Sequence, residues 1–294
     1  MAVIRDASEI PLDRPQTPLP AGAWDCHAHV FGPFADYPLP EVRRYDPPQG
    51  GGADYLRMLD TTGFAHGVLV HAAAYGYDNR CVADTLRAAG GRVAGVCALP
   101  PSVTDAELAE MHALGFRAMR FTVTHERARS FPGALGFEDL ALLAPRFREI
   151  GWHAQVWANC ADIVAYADLL EGCGVPVVID HLGFLKSDAK TRDPDWQAFL
   201  ALVAANDFWV KLTTLRVADD GYFEGARGYH DAVLDTAPDR ALFGSDWPYI
   251  SRDVATLSPA AQVDMFDAWT RDETLRRKVF VDNPARLFGR IDPA

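Results

Sequence analysis

The sequence predicts an α/β chain folded as one closed (β/α)8 barrel, TIM-like in architecture. Three observations point there. Apolar segments ending in small or polar residues alternate with amphipathic segments through eight β-then-α units. The apolar segments are rich in Val, Ile and Phe, as parallel strands buried on both faces are. The chain, at 294 residues with no compositional break, matches the size of about 250 residues typical of such barrels.

Residues 1–22, rich in proline and polar side chains, read as an arm on the surface, and 23–294 as the single barrel domain. The first strand falls at about 23–31, followed by a long loop running to Gly50-Gly51-Gly52. Long loops inside compact domains are often functional. Further strands are expected at Gly67–Ala72, Val93–Leu99, Arg117–Val123, His153–Ala158, Val175–His181, Phe208–Leu215 and Ala241–Ser245. Helices are expected between them at Ala53–Thr62, Asn79–Ala89, Asp105–Leu114, Phe137–Ile150, Ala161–Glu171 and Trp196–Ala205, where apolar residues recur every three or four positions. Thr104 and Glu107 form a capping-box pair at the third of these. Residues 218–223 read as a loop before a short helix.

Hydrophobic residues make up 49% of the chain and charged residues 23%, enough for a large core without staples. The net charge of −12 argues against a nucleic-acid surface. It leaves room for a small anionic substrate, because a few arginines in a pocket outweigh a distant average. Five cysteines, Cys26, Cys81, Cys97, Cys160 and Cys173, are odd in number and form no CxxC, the usage of reduced cytoplasmic thiols. No signal-peptide core and no run near ~18 apolar residues is present, so a cytoplasmic protein without a membrane partner is expected. Nothing in the sequence indicates an oligomeric state.

The candidate site begins in the first strand, Trp24-Asp25-Cys26-His27-Ala28-His29-Val30-Phe31. Strand residues two apart share a face, so His27 and His29 project together, with Asp25 expected behind them on that face. In such barrels chemistry sits at the C-terminal ends of the strands. There the sixth strand ends in Asp180-His181-Leu182-Gly183 and the eighth in Ser245-Asp246-Trp247-Pro248. The fourth carries Arg120 among apolar residues, and the seventh ends near Arg216. Asp246 lies beside the histidine pair once the barrel closes, as a metal ligand or a general base. Asp180 reads as a cap or turn residue, because alternation sets it opposite His181.

The motifs Asp-Cys-His-Ala-His-Val-Phe-Gly-Pro at 25–33, Ile-Asp-His-Leu-Gly at 179–183, Gly-Ser-Asp-Trp-Pro at 244–248 and Asn-Pro-Ala-Arg-Leu-Phe at 283–288 resemble the amidohydrolase superfamily. With Tyr75-Gly76-Tyr77-Asp78-Asn79 and Arg117–Phe121, they are similar to its 2-pyrone-4,6-dicarboxylate lactonase branch. The resemblance covers about residues 20–290. It implies a hydrolase that opens a lactone ring, with His27, His29, His181 and Asp246 as the catalytic set. Asp246 would be the general base and the histidines would polarise the carbonyl. It also implies that Tyr45, Arg120, Arg127 and Arg216 hold carboxylates of a small carboxylated lactone. Two departures stand out: Phe184 where the branch has an arginine, and Ala73 where it has a serine. A less charged lactone, or one with an apolar substituent near Phe184 and Trp157, is therefore expected.

The resemblance leaves the metal open. Many superfamily members bind a divalent ion through His-x-His, a fifth-strand histidine and the eighth-strand aspartate. Here the fifth-strand histidine, His153, stands at the strand's beginning, over ~10 Å from the active end at ~3.3 Å per residue, and reads as structural. No lysine ends the fourth strand, so no binuclear site is expected. The expectation is a metal-free site, the alternative a single zinc ion held by His27, His29 and Asp246. With zinc, the reaction could be another hydrolysis or the decarboxylation of an aromatic acid. Isomerisation of a sugar-acid lactone needs the same activated carbonyl. A non-catalytic binding barrel would not require the complete set of strand-end His and Asp residues.

Overall fold

Eight strands hydrogen-bond in sequence order, every pair parallel. The computed structural model describes residues 5–43, 45–122, 134–184, 191–217, 223–250 and 257–289. Its strands are β1 (Trp24–Ala28), β2 (His66–Val70), β3 (Val93–Cys97), β4 (Phe116–Thr122), β5 (His153–Trp157), β6 (Val177–Ile179), β7 (Phe208–Leu212) and β8 (Ala241–Phe243). Each expected strand is present, most of them shorter at the C-terminal end, where the chain turns to present side chains. Between β8 and β1 the sheet closes through a parallel bridge of Ala28 with Trp247.

Alternate strand residues, among them Val68, Val70, Ala94, Val96, Ala118, Val178 and Leu242, form one buried cluster filling the barrel. The other face of the strands packs under the helices. Those helices are Gly52–Thr62, Arg80–Ala89, Asp105–Ala113, Phe137–Ile150, Cys160–Ala165, Ala167–Gly172, Pro194–Ala205 and Arg227–Thr236. The capping box is formed: the Thr104 hydroxyl accepts from the Glu107 amide, and the Glu107 carboxylate accepts from the Thr104 amide. The helix expected over Ala161–Glu171 is instead two short ones, broken at Tyr166, whose φ of −107° and ψ of 18° are not helical. The floor of the barrel is closed by the C-terminal helix Asn283–Phe288. Phe288 stacks on Trp24, and Asn283 donates to the carbonyls of Pro238 and Ala241.

The N-terminal stretch from residue 5 runs along the barrel. Ala7 and Ile10 are buried in the core, and the amide of Gln16 donates to Asp264 at 2.7 Å. All five cysteines are buried and unpaired. No helix among the described residues is long and apolar enough to cross a membrane. The loop expected at 218–223 lies almost wholly outside the described residues.

Candidate active site

The seam of the barrel builds the site. Beyond β8 the chain continues as Gly244-Ser245-Asp246-Trp247, and the Asp246 amide donates to the His27 carbonyl at 2.7 Å. The His29 amide donates to the Trp247 carbonyl at 2.8 Å. Residue 244 has to be glycine, since a Cβ there would stand 2.7 Å from that of His27. Asp25 staples the same seam: its carboxylate accepts from the Ser245 amide (2.8 Å), the Ser245 hydroxyl (2.7 Å) and the His27 amide (3.3 Å). Burial pushes Asp25 up to about 6, with the Ser245 donors opposing it.

Asp25 thus does not stand behind the histidines on their face. β1 advances three residues, Asp25 to Ala28, while β2 advances two, Gly67 to Leu69. This one-residue bulge lets consecutive residues face inward: Cys26 joins the barrel's interior cluster and His27 reaches the interior Lys211. Simple alternation cannot foresee that.

The imidazoles converge with one carboxylate. Nε2 of His27 lies 3.3 Å from Nε2 of His29. Oδ1 of Asp246 is 3.6 Å from the first and 3.7 Å from the second. The ring of His181 centres 4.5 Å from that of His27, and its Nδ1 pairs with the Thr213 hydroxyl at 2.6 Å. Among the described residues Asp246 Oδ1 has no hydrogen-bond partner, although it is buried. His181 and Asp246 both sit in the left-handed region, at φ 54° and 60°. Non-glycine residues held there cluster at functional sites.

Electrostatics keep the cluster neutral on the histidine side. Burial first, then neighbouring cations and imidazoles, holds His27, His29 and His181 well below the ordinary imidazole range. A neutral imidazole carries one proton. For His29 its place is known, because Nδ1 lies 2.8 Å from the Val70 carbonyl, which only accepts. Nε2 of His29 is therefore a bare lone pair. Burial raises Asp246, with Arg216 opposing.

A second layer lies beneath, made of residues that sequence reasoning passed over. Asp180 points into the barrel together with His181, because the strand ends at Ile179 and the backbone turns left-handed at His181 and Leu182. Its Oδ2 accepts from Arg120 at 3.2 Å and from Gln155 at 3.3 Å. Oδ1 lies 3.6 Å from the Lys211 ammonium. Burial works to raise Asp180, but Lys211 and Arg120 overcome it and leave the carboxyl below its ordinary range. Gln155 and Lys211 stand among apolar neighbours in β5 and β7, and a polar residue flanked by apolar ones in a buried strand was the signal available.

Arg120 spans the barrel mouth from β4 to Asp180 and the His71 carbonyl, over the Trp157 ring. Arg216 pairs with Oδ2 of Asp246 and donates to the Ile250 carbonyl at 2.8 Å. Both guanidinium groups thus already hold carboxylates of the chain itself. Tyr45 is half-buried against the core in the loop after β1. Arg127 lies outside the described residues.

Comparison with known proteins gives the family. The amidohydrolase family profile matches residues 24–290. The chain belongs to the amidohydrolase family. It is 32% identical over 277 residues to the 4-sulfomuconolactone hydrolase of Rhizobium radiobacter, covering 93% of this chain and 92% of that one. To the 2-pyrone-4,6-dicarboxylate hydrolase of Comamonas testosteroni it is 30% identical over 286 residues, covering 94% and 92%. A solved structure from Pseudomonas putida, described as that of a candidate 2-pyrone-4,6-dicarboxylic acid hydrolase, superposes with a TM-score of 0.78 at 30% identity, covering 92% and 98%.

Whether this amidohydrolase's residues suit a metal ion can be tested on the donors. His27 Nε2, His29 Nε2 and Asp246 Oδ1 have the mutual spacing of ligands around one ion. Ligating histidines, however, pass their second N–H to an acceptor. His29 does so, to Val70. His27 does not: its Nδ1 meets the Lys211 ammonium at 3.3 Å, and an ammonium accepts nothing. A guanidinium also occupies the other oxygen of Asp246. At the mouth, β5 ends in Trp157 and offers no ligand, whereas His153 packs edge-on against Phe288 on the barrel floor. β4 ends in Phe121-Thr122, with no lysine to bridge two ions. The Lys211 ammonium against His27 Nδ1 and the guanidinium on Asp246 weigh against a divalent ion at this donor set.

Proposed function

We propose that this amidohydrolase opens the ring of a small carboxylated lactone by metal-free hydrolysis. The observation that carries the reading is the convergence of His27, His29 and the unpartnered Asp246 Oδ1 within 3.3–3.7 Å of one another. Asp246 Oδ1 takes a proton from water as the water oxygen bonds to the ring carbonyl carbon. The ring C–O bond then breaks, and the proton passes to the departing ring oxygen. The histidines divide their roles. His29, bare at Nε2, accepts from the attacking water, while His27 and His181 steady the charge developing on the carbonyl oxygen. Arg120 and Arg216, each 12% exposed at the side chain, orient the substrate carboxylate with Tyr45.

Two relatives named for lactones that carry acidic groups support the substrate class. Phe184 and Ala73 remove two polar partners expected for a dicarboxylate. A lost charged hydrogen bond costs about 1.5–3 kcal/mol, or one to two decades of affinity, so a monocarboxylated lactone is the better substrate. The test is a lactone panel assayed with and without chelator, alongside metal analysis of the purified protein. Ring opening that survives chelation supports the reading. Turnover of no lactone overturns it, and activity lost to chelator and restored by zinc overturns its metal-free part.

A further inference from the structure

Lys211 takes no part in the reaction proposed above, yet it lies wholly buried beneath the histidine pair. Its Nζ is 2.7 Å from Gln155 Oε1, 3.3 Å from His27 Nδ1 and 3.6 Å from Asp180 Oδ1. An ammonium offers three N–H donors, and three acceptors face it. The orientation of each neighbour follows. Gln155 turns Oε1 to the lysine because its Nε2 is committed to Asp180 Oδ2. His27 Nδ1 then has to accept, so the proton of this neutral ring belongs on Nε2. Asp180 Oδ1 lies 3.3 Å from the same Nδ1 but makes no hydrogen bond there.

We propose that Lys211 is a positioning residue that fixes His27 in its Nε2–H tautomer, so that His27 meets substrate as a hydrogen-bond donor and not as a lone-pair ligand. The fixed order then runs from the Lys211 ammonium to His27 Nδ1, from His27 Nε2–H to His29 Nε2 at 3.3 Å, and from His29 Nδ1–H to the Val70 carbonyl. Substrate entering the site exchanges its carbonyl oxygen for His29 as the acceptor of the His27 proton. Only this last consequence rests on the lactonase reading.

Removing the ammonium leaves Asp180 Oδ1 beside Nδ1, and the His27 proton should move there. Both Nε2 atoms would then be bare beside Asp246 Oδ1, at the 3.3, 3.6 and 3.7 Å spacing described above. A tetrahedral zinc with ligands at about 2.0–2.2 Å has ligand-to-ligand edges of roughly 3.3–3.6 Å. Lys211 thus also keeps the site from collecting an ion.

The test is histidine 15N NMR of the full chain, with His27 assigned by its disappearance in His27→Gln. Wild type should show His27 protonated at Nε2 and bare at Nδ1, Lys211→Met the reverse, and Lys211→Gln, which keeps a neutral donor, the wild-type pattern. Lys211→Met should lose about 10²-fold in kcat, the usual cost of one oxyanion donor, with KM within about threefold. In equilibrium dialysis against zinc it should take up one ion per chain where wild type takes none. A wild-type His27 protonated at Nδ1 overturns the proposal, as does Lys211→Met with an unchanged tautomer. If Lys211→Met does not fold, the wild-type and Lys211→Gln spectra decide. Failure of the whole lactone panel with the expected spectra would sink the functional reading and leave the tautomer assignment standing.

Discussion

Nε2 of His27 and Nε2 of His29 face each other at 3.3 Å, yet the two histidines are not equivalent. The Val70 carbonyl takes the His29 proton at Nδ1, so His29 can only accept at the site. We predict that His29→Leu loses about 10²-fold in kcat, within the range for a proton-transfer partner. His29→Gln, which can turn an oxygen to the same place, should recover part of it. Steady-state kinetics on the best lactone of the panel decide this. Equal losses in the two variants would mean that the acceptor is not what matters.

Asp246 carries the acid limb. With Asp246 as the proposed general base, activity requires the ionised carboxylate, and burial raises its pKa against the opposition of Arg216 and Arg120. Activity therefore falls as pH drops through a value above the ordinary carboxylate range of about 3.9. His27, His29 and Asp180 also face this group, and burial holds both imidazoles well below their ordinary range. Asp246→Asn should lower kcat by at least about 10³-fold and remove the limb from the residual rate. A kcat/KM profile between pH 4 and 8 reads both, and an unchanged limb in Asp246→Asn would assign the titration elsewhere.

The architecture and the outer members of the site were legible because each rests on local chemistry. Eight apolar segments of strand length, and polar residues at strand ends, need no tertiary information to recognise. Asp180 was hidden by the assumption that alternation continues through His181, whereas the backbone turns left-handed there. Asp25 was misplaced for a related reason, since the β1 bulge appears only against β2. Lys211 and Gln155 were readable in principle, as polar residues flanked by apolar ones in buried strands. Their partners lie on other strands, and only the closed barrel brings 155, 180 and 211 within hydrogen-bond reach. The arginines show the same limit. Position predicted their place at the mouth, but not that Asp180 and Asp246 already occupy them.

Ser245→Ala tests the seam. The substitution removes the hydroxyl that donates to Asp25 and accepts from the Trp247 amide. A buried carboxylate that loses a donor costs about 1–3 kcal/mol, which a shift in the urea unfolding midpoint should show. Because the Asp246 and Trp247 backbones bond directly to those of His27 and His29, kcat should fall as well while binding of substrate holds. A variant with wild-type stability would show that the Ser245 amide alone suffices for Asp25.

Acid should unfold the protein through its buried histidines. Burial lowers His71 to about 4, His230 to about 4 and His153 to about 3. In the unfolded chain each titrates near 6.5. Above that pH both states are neutral and nothing is lost. As pH falls below it, the unfolded chain binds protons that the folded chain refuses, so stability declines until the folded pKa is reached. By pH 5 each such histidine removes about 2 kcal/mol. Against a total stability of about 5–15 kcal/mol, three such contributions are a large share, and His27, His29 and His181 shift in the same direction. His153 isolates one contribution, because its Nε2 has no partner among the described residues and its ring packs against Phe288. Urea midpoints at pH 7.5 and 5.0 should show His153→Leu losing about 2 kcal/mol less than wild type between the two conditions. An identical loss in both proteins would mean that His153 already binds its proton in the folded barrel.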